Sequence, residues 1–380
     1  MTASRALSHR PEGTPTFGIF DWIDLPPGAD QADVLESRLA MIESADRGGE
    51  ITTYHLAEHH ATRLSLSPSP TVFLAAASQR TTRIRLATTV LVLPLYDTLR
   101  LSQEIGMLDQ LSRGRIDVGL GRGSVPIEGE IYGYAPDDMT DRYDAMEPAL
   151  LESLARGVYV RPSTEELHRS HVRLFATTRQ KPYPPLWYPT SSPGTIPRLA
   201  QEGFNTIFGF AWFSPSAEDL AKVSDAYFAG VELARGNGGP RYAAPGRPLR
   251  FGTMRHVFVA DSDARAAEIG GRALDDFNAN FTFLMREHHQ DLGHGKGMAP
   301  AELGFDSLRD ESKVLVGSVE RVTDQLVELM RVGQLNHFAG VLAFGSLTRD
   351  QVLSSLDLFQ TQVVPQVGRA LAAGRRSALR

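Results

Sequence analysis

At 380 residues, with 42% hydrophobic and 22% charged side chains, the chain has the composition of a globular protein that can bury a large core. Its net charge of -6 offers no basic field to hold nucleic acid or an anionic membrane, so small molecules are the expected partners. The absence of cysteine excludes disulfides, thiolate metal sites and a thiol nucleophile, so redox chemistry would require a bound cofactor.

Neither a secretory signal nor a membrane span is expected. Arg5 and Arg10 are not followed by the apolar run of a signal peptide, so residues 1–15 are predicted to be a disordered lead. No stretch approaches the roughly 20 apolar residues that cross a bilayer, and we expect a cytoplasmic protein. Residues 16–370 are predicted to form a single domain, with a C-terminal tail at 371–380.

Short apolar runs alternate with helical patterns, the order typical of parallel strands joined by crossover helices. The predicted strands are 16–20, 51–56, 84–93, 116–120, 186–189, 205–208, 250–259 and 337–344. The predicted helices are 31–47, 70–80, 98–111, 141–154, 194–201, 217–235 and 264–286. Eight such units favour an α/β fold made of a single (β/α)8 TIM-type barrel over a doubly wound sheet. Loop insertions near 157–184, 236–248 and 290–306 are expected at the C-terminal face of the barrel.

The end of the second strand carries the first candidate catalytic group. His59 lies there, and a histidine can shuttle a proton near neutral pH if Glu58 or another neighbour orients it. The alternative is a satisfied structural histidine, which is how we interpret His60. His55, Glu58, His59 and His60 are dense in potential metal ligands, but the adjacent histidines diverge on an extended chain, so no metal site is predicted.

A glycine-rich loop, residues 119–123, follows the fourth strand. Pro126 follows it in place of a helix, and its third glycine falls one position early, which argues against a nicotinamide-binding turn. We interpret the glycines as allowing a ligand close to the backbone, with the guanidinium of Arg122 directed to a phosphate. A surface ion pair is the alternative for Arg122.

Three hydroxyl residues, Ser191, Ser192 and Thr195, lie at the start of the fifth helix, where free N–H groups and the helix dipole favour an anion. Ordinary helix capping is the alternative. Together with Arg122 they would form a phosphate cradle, and Arg142 would add a second cation unless it lies on a solvated helix face. Seven aromatic residues are predicted to line the barrel mouth, with core packing as the alternative, namely Phe17, Phe20, Trp22, Tyr96, Phe210, Trp212 and Phe213.

Four strings, in this order and spacing, resemble the luciferase-like flavin monooxygenases: Leu56-Ala57-Glu58-His59-His60, Leu91-Val92-Leu93-Pro94, Leu108-Asp109-Gln110-Leu111-Ser112-Arg113-Gly114-Arg115 and Gly119-Leu120-Gly121-Arg122-Gly123. The C-terminal runs 315–318, 343–345 and 355–359 are also similar to that family. The resemblance covers about residues 16–367.

The resemblance implies a barrel that holds reduced FMN, supplied by a separate NAD(P)H:flavin reductase. The flavin would react with O2 to give a C4a-hydroperoxide that oxidises a small organic substrate, and a homodimer is expected. By position, His59 matches the family's catalytic histidine, Arg122 its phosphate-binding arginine, and Ser192 and Thr195 its hydroxyl ligands. Thr89-Val90 matches a pair that relatives join by a non-proline cis peptide against the flavin ring.

Two positions depart from true luciferases. Gly121 stands where they carry a cysteine beside the flavin, and Ser191 where they carry an acidic residue, so a non-luminescent relative is expected. A deazaflavin (F420)-dependent hydride-transfer enzyme on the same barrel is the first alternative. The second is a non-catalytic flavin-binding partner subunit, but such subunits lose the histidine and the arginine that this chain keeps as His59 and Arg122.

Overall fold

The computed structural model describes residues 13–162, 172–209, 215–287 and 304–378, in which strands and helices alternate. The strands within these ranges are β1 (Thr16–Asp21), β2 (Ile51–Leu56), β3 (Arg85–Val92), β4 (Ile116–Gly121), β5 (Val158–Tyr159), β6 (Val172–Arg173), β7 (Leu186–Trp187), β8 (Thr206–Ile207), β9 (Phe251–Ala260), β10 (Val314–Ser318) and β11 (His337–Val341). The helices are α1 (Gln31–Gly48), α2 (Pro70–Arg80), α3 (Thr98–Leu111), α4 (Pro126–Ile131), α5 (Pro136–Arg156), α6 (Ile196–Glu202), α7 (Ala217–Gly236), α8 (Asp263–Glu287), α9 (Phe305–Asp310), α10 (Val319–Val332), α11 (Arg349–Leu358) and α12 (Val364–Ala378).

Eight parallel strands form a ring. β1 pairs with β2 on one side and with β11 on the other, and the path continues through β3, β4 and β7 in one direction and through β9 and β8 in the other. Parallel bridges between Trp187 and Asn205 and between Thr190 and Phe208 connect the β7 side to the β8 side. The predicted α/β barrel is therefore confirmed.

The fold contains elements that the sequence patterns did not predict. β10 pairs with β9 over residues 256 to 260, so β9 has a ninth strand beside its C-terminal half. A six-residue helix, α4, occupies residues 126–131, which the sequence had indicated to be non-helical. The helix α10 precedes β11 along the chain and α11 and α12 follow it, and α12 runs across the predicted boundary at residue 370. The rest of the domain division stays a prediction.

The described parts of two predicted insertions, residues 157–162, 172–184 and 236–248, lie at the other end of the barrel from the one expected. Residues 157–184 connect α5 to β7, and residues 236–248 connect α7 to β9. A helix-to-strand connection reaches the N-terminal end of the next strand, whereas barrel active sites lie at the C-terminal ends. The expected position at the C-terminal face was therefore wrong for these two insertions. Most of the third insertion, residues 290–303, lies outside the described residues.

Local chemistry explains where the first helix begins and ends. The carboxylate of Asp30 accepts hydrogen bonds from the backbone N–H groups of Ala32 and Asp33, which caps the N-terminus of α1. Gly49 ends the helix with a φ of 83°, a left-handed conformation that glycine adopts without steric cost. β9, by contrast, is buried at every position, as expected for a strand covered on both faces in a closed parallel sheet.

The barrel interior holds a chain of polar side chains. Nε2 of His55 lies 3.1 Å from Nε2 of His337, and Nδ1 of His55 lies 3.0 Å from Oγ1 of Thr89. Nδ1 of His337 lies 2.9 Å from Oγ1 of Thr16. Burial lowers the pKa of His55 to about 3, so this ring is neutral at working pH. This row of polar contacts runs from Thr16, at the start of β1, to Thr89 in β3, the residue before Val90.

Within the described ranges, no helix is long and apolar enough to cross a membrane.

Candidate active site

His59 lies just beyond the end of β2 and is held by a residue far away in the sequence. Its Nδ1 is 2.9 Å from Oε1 of Glu128, a buried carboxylate in α4. The same oxygen accepts a hydrogen bond of 3.0 Å from the backbone N–H of His60. The side chain of His59 is 16% exposed, and in the described part of the chain no protein atom bonds to its Nε2. This nitrogen can therefore exchange a proton with a ligand.

Glu58 does not orient His59. Its Oε1 lies 2.9 Å from Nε2 of His60, and its Oε2 accepts hydrogen bonds from the hydroxyl of Tyr96 at 2.6 Å and from the backbone N–H of Val92 at 3.2 Å. Burial raises the pKa of Glu58. Burial opposes protonation of His60, but the hydrogen bond and negative charge of Glu58 outweigh it and raise the pKa of this ring. Both ring nitrogens of His60 thus have side-chain partners, Glu58 and Tyr132, and its structural role stays a prediction.

The Thr89–Val90 peptide bond is cis, as the resemblance implied. Gly121, the last residue of β4, packs against it. A Cβ atom at Gly121 would lie only 2.6 Å from Cγ2 of Val90, closer than non-bonded carbon atoms approach. Glycine at this position therefore leaves room for the Val90 side chain.

Arg122 follows β4 at the C-terminal end of the barrel. β4 and β7 are paired in parallel with Val118 opposite Leu186 and Gly119 opposite Trp187. The same register continued along both strands brings Arg122 level with Thr190, next to the predicted hydroxyl residues. The side chain of Arg122 is exposed, and its one hydrogen bond to a described residue is a long one of 3.4 Å to Oγ1 of Thr140. The surface ion pair weighed as an alternative is not present among the described residues.

Ser191, Ser192 and Thr195 surround a short 3-10 turn at residues 193–195 that precedes α6. Ser192 and Thr195 are the residues before the 3-10 turn and before α6, and neither makes a side-chain capping bond. Within the described ranges their hydroxyl groups, and that of Ser191, have no hydrogen-bond partner. Capping therefore does not account for these three residues, which keep their hydrogen-bonding capacity for a ligand.

Arg142 is already engaged in α5. Its Nε donates a 3.0 Å hydrogen bond to the carbonyl oxygen of Pro94, and its guanidinium lies 4.1 Å from the ring centroid of Tyr134. Neither contact connects it to Arg122 or to the three hydroxyl residues. A role for Arg142 in the phosphate cradle stays a prediction.

The predicted aromatic lining is only partly placed. Tyr96 and Trp22 lie near the C-terminal ends of the strands, whereas Phe17 is a buried residue near the start of β1. The prediction that Phe17 lines the barrel mouth was wrong. The mouth lies at the C-terminal ends of the strands, and Phe17 is the second residue of β1. Phe20 packs edge-on against Trp22, with the two ring centroids 4.7 Å apart. The remaining predicted aromatic residues, Phe210, Trp212 and Phe213, lie outside the described residues.

A cavity of about 210 Å³ lies beside His60. Its lining includes Glu58, His60, Tyr96 and Tyr132, together with Arg100. In the described part of the chain no group of three or more acidic or histidine side chains is placed to hold a metal ion.

Sequence reasoning missed Glu128. It is separated from His59 by 69 positions, and the hydrogen bond between them depends on the packing of α4 against the end of β2. In an extended segment alternate side chains point the same way, so Glu58 pairs with His60 and leaves His59 to a partner from elsewhere. That alternation is a signal in the sequence that Glu58 would not orient His59.

Comparison with known proteins was informative at the level of family. A family model described as luciferase-like monooxygenase matches residues 16–335. The chain is 32% identical to an uncharacterized protein, y4wF, of Sinorhizobium fredii. The match extends over 353 residues, which is 93% of this chain and 97% of that one. It is 27% identical to limonene 1,2-monooxygenase of Rhodococcus erythropolis, over 86% of this chain and 80% of that one. It is 26% identical to the oxygenase component of a flavin-dependent trigonelline monooxygenase of Acinetobacter baylyi, over 62% of each chain.

Solved structures share the fold at lower identity. The oxygenating constituent of 3,6-diketocamphane monooxygenase of Pseudomonas putida, in complex with FMN, has a TM-score of 0.73 at 19% identity and covers 93% of this chain and 98% of that one. The coenzyme F420 dependent tetrahydromethanopterin reductase of Methanopyrus kandleri has a TM-score of 0.62 at 14% identity and covers 93% of this chain and 100% of that one. Flavin and deazaflavin enzymes therefore both use this barrel.

Proposed function

Because this chain belongs to the luciferase-like monooxygenase family, we propose that it is a flavin-dependent monooxygenase that uses reduced FMN and O2 to oxidise a small organic molecule. The observation that carries the proposal is the pairing of His59 with the buried Glu128, which leaves one ring nitrogen of His59 for a ligand at the C-terminal end of the barrel. Relatives named as monooxygenases and a neighbour in complex with FMN support it.

The residues at the ends of β4 and β7 fit the phosphate of FMN. Arg122 presents an exposed guanidinium that makes only one weak hydrogen bond to a described residue. The hydroxyls of Ser192 and Thr195 are not consumed by capping. A guanidinium and hydroxyl groups at the start of a helix are the donors that a phosphate prefers. These residues would hold the phosphate, with Ser191 beside them.

The same region fits a flat ring. The Thr89–Val90 segment packs directly against Gly121, and the Val90 side chain fills the space that a side chain at Gly121 would need. By the family resemblance, Thr89, Val90 and Gly121 would lie against the ring system, with His59 at its edge.

His59 would move a proton during oxygenation. As a carboxylate, Glu128 can only accept hydrogen bonds, so it holds the Nδ1–H of His59 and leaves the lone pair on Nε2. That nitrogen can take a proton from the reacting molecule or, once protonated, donate one. When bound, reduced FMN would supply the electrons that activate O2.

A separate NAD(P)H:flavin reductase would supply the reduced FMN, because the relative from Acinetobacter baylyi is named as an oxygenase component. We infer a non-luminescent enzyme, since Gly121 replaces the cysteine of true luciferases. The homodimer and the cytoplasmic location stay predictions.

The experiment that tests the proposal is incorporation of ¹⁸O2 into a panel of small terpenes, cyclic ketones and heteroaromatic compounds, with reduced FMN generated by a flavin reductase. We expect at least one product labelled with one ¹⁸O atom that forms only when both FMN and the protein are present. A parallel titration compares FMN with F420 by fluorescence quenching. Tight binding of F420 without binding of FMN would contradict the monooxygenase proposal and support the F420-dependent hydride-transfer enzyme instead. Binding of FMN without labelled product would favour the non-catalytic subunit.

A further inference from the structure

Four polar side chains that the proposed mechanism does not use form a row through the interior of the barrel, which is called the polar row here. Its members in order are Thr16, His337, His55 and Thr89, and facing side-chain atoms of neighbours in the row lie 2.9 to 3.1 Å apart. They come from β1, β11, β2 and β3, which are neighbours in the ring. Both histidines are buried.

One end of the polar row meets solvent. A cavity of about 230 Å³ lies at the N-terminal ends of the strands and is called the N-terminal cavity here. Thr16, the first residue of β1, and His337, the first residue of β11, both line it. Thr16 is partly exposed, so water reaches its hydroxyl group from this side of the barrel.

The other end of the polar row lies beside the proposed flavin site. Thr89 is in the C-terminal half of β3, next to Val90, whose side chain packs against Gly121. Within the described residues, the hydroxyl of Thr89 has His55 as its one hydrogen-bond partner. A hydroxyl group donates one hydrogen bond and accepts up to two, so Oγ1 of Thr89 keeps capacity for a ligand.

The hydrogen bonds of the polar row can point in either direction. A neutral imidazole has one N–H group and one accepting nitrogen, and a hydroxyl group both donates and accepts. When Thr16 donates to Nδ1 of His337, every bond in the row points toward Thr89. When the direction is reversed, Thr16 accepts from His337 and donates to the carbonyl oxygen of Asn336, 3.3 Å away. Each member of the row therefore has a partner in both arrangements.

Burial keeps both rings neutral. It lowers the pKa of His55 to about 3, and it lowers the pKa of His337 well below its usual range, an effect to which the neighbouring His55 adds. A ring that takes up a proton on one nitrogen must therefore release the proton of the other. A histidine in this state passes protons without remaining charged.

We propose that the polar row is a proton relay between solvent at the N-terminal cavity and the ligand beside Thr89. In one passage a proton from solvent binds Oγ1 of Thr16, whose own proton moves to Nδ1 of His337. The Nε2 proton of His337 moves to Nε2 of His55, and the Nδ1 proton of His55 moves to Oγ1 of Thr89. The hydroxyl proton of Thr89 then moves to the ligand.

Each passage is balanced, because solvent loses one proton, the ligand gains one and no side chain changes its charge. It leaves the row pointing in the reverse direction, and a passage from the ligand back to solvent restores the first arrangement. That the ligand is the flavin or the molecule it oxidises rests on the proposed function. The relay from Thr16 to Thr89 is a property of this chain alone.

Hydrogen exchange at the ring of His55 tests the relay in the full chain without FMN. The histidines are labelled with ¹⁵N, the chain is transferred to D2O, and NMR follows the loss of the ring N–H signal that is absent in H55Q. We expect T16V to slow this exchange by about 100-fold, the lower end of what a positioned proton-transfer group contributes. No hydrogen bond joins Thr16 directly to His55, so a purely local effect of T16V would not reach this ring.

Two variants control for disturbance of the structure. T16S keeps the hydroxyl group and should exchange at the native rate. T53V should do the same, because Thr53 lines the same cavity and, among the described residues, has no hydrogen bond to the polar row. Unchanged exchange in T16V would overturn the relay. Equal slowing in T16V and T53V, or no recovery in T16S, would also overturn it.

A second arm connects the relay to the proposed function. FMN at the proposed site would cover the barrel mouth, and exchange at His55 should persist, because protons enter at Thr16. Arrest of exchange by FMN would overturn entry at that end. In the ¹⁸O2 assay T16V should lower kcat by at least about tenfold with KM and FMN affinity nearly unchanged. Unchanged kcat would overturn delivery to the ligand. If FMN does not bind, the proposed function fails, and exchange without FMN still decides the relay.

Discussion

Replacing Glu128 by glutamine keeps the size of the side chain and removes its negative charge. In the native chain Oε1 of Glu128 lies 2.9 Å from Nδ1 of His59 and 3.0 Å from the backbone N of His60. In E128Q the amide oxygen takes this position, because an NH2 group there would face the backbone N–H of His60, which can only donate. The Nδ1–H of His59 keeps its partner, but the negative charge that would stabilise the positive ring formed during proton transfer is lost.

We expect kcat of E128Q to fall by about 10 to 100-fold, the range found when a partner that orients a working side chain is altered, which is about 1.4 to 2.7 kcal/mol of barrier. The KM and the affinity for FMN should change little, because the hydrogen bonds of Glu128 within the described residues go to His59 and His60 and not to the phosphate cradle. The assay is the rate of ¹⁸O incorporation at saturating substrate, with FMN affinity measured by fluorescence quenching.

E130Q is the matched control, because Glu130 is an exposed carboxylate in the same short helix. It should keep the native kcat. A folded E128Q protein with unchanged kcat would show that the charge of Glu128 does not assist proton transfer by His59. A loss of FMN affinity as large as the loss of kcat would instead assign Glu128 a structural role.

Three other changes test separate parts of the account. R122A should weaken FMN by at least about tenfold while riboflavin affinity is nearly unchanged, as measured by fluorescence quenching, because only FMN carries the phosphate. G121C should lower the free energy of unfolding by about 1 to 3 kcal/mol in urea, because a Cβ there would lie 2.6 Å from Cγ2 of Val90. Burial raises the pKa of Asp24 from 3.8 to about 7, although the positive charge of Arg38 opposes this rise. Between about pH 4 and pH 7 the folded chain therefore holds a proton on Asp24 that the unfolded chain has lost. The free energy of unfolding should therefore fall as pH rises from 4 to 7, by up to about 1.4 kcal/mol per pH unit, and D24N should flatten this slope in urea denaturation.

The strands of the ring were predictable from sequence because each is an apolar run bounded by polar or turn-forming residues. The run 51–56 and the helix 98–111 were predicted with the bounds that the structure has. β10 was not predicted, although Val314–Ser318 is a similar apolar run. Only its pairing with the C-terminal half of β9, a contact between distant segments, identifies it as a strand.

The position of the insertions could have been deduced from connectivity. A segment that leaves a helix and enters a strand lies at the N-terminal end of the barrel, whatever its length. Length alone suggested that the insertions at 157–184 and 236–248 lie at the C-terminal face, where barrel active sites are built. In the structure Arg247 and Pro248 instead line a cavity together with Thr16 and Arg85, at the N-terminal ends of the strands.

The sequence left the role of the hydroxyl residues open for a physical reason. Serine or threonine at a helix start serves equally well as a cap or as an anion ligand, and composition does not separate the two. The structure favours ligand binding, because neither Ser192 nor Thr195 makes a capping bond. The partner of His59 was equally hidden, since Glu128 approaches it only through tertiary packing.

The most direct test of the proposed function is the H59A variant in the ¹⁸O2 assay with reduced FMN. We expect FMN affinity within about threefold of the native value, since no residue of the phosphate cradle changes, and a loss of labelled product of at least about 100-fold, in the range expected for a general acid or base. Normal turnover by H59A would contradict the account, because it would show that oxygenation does not require His59.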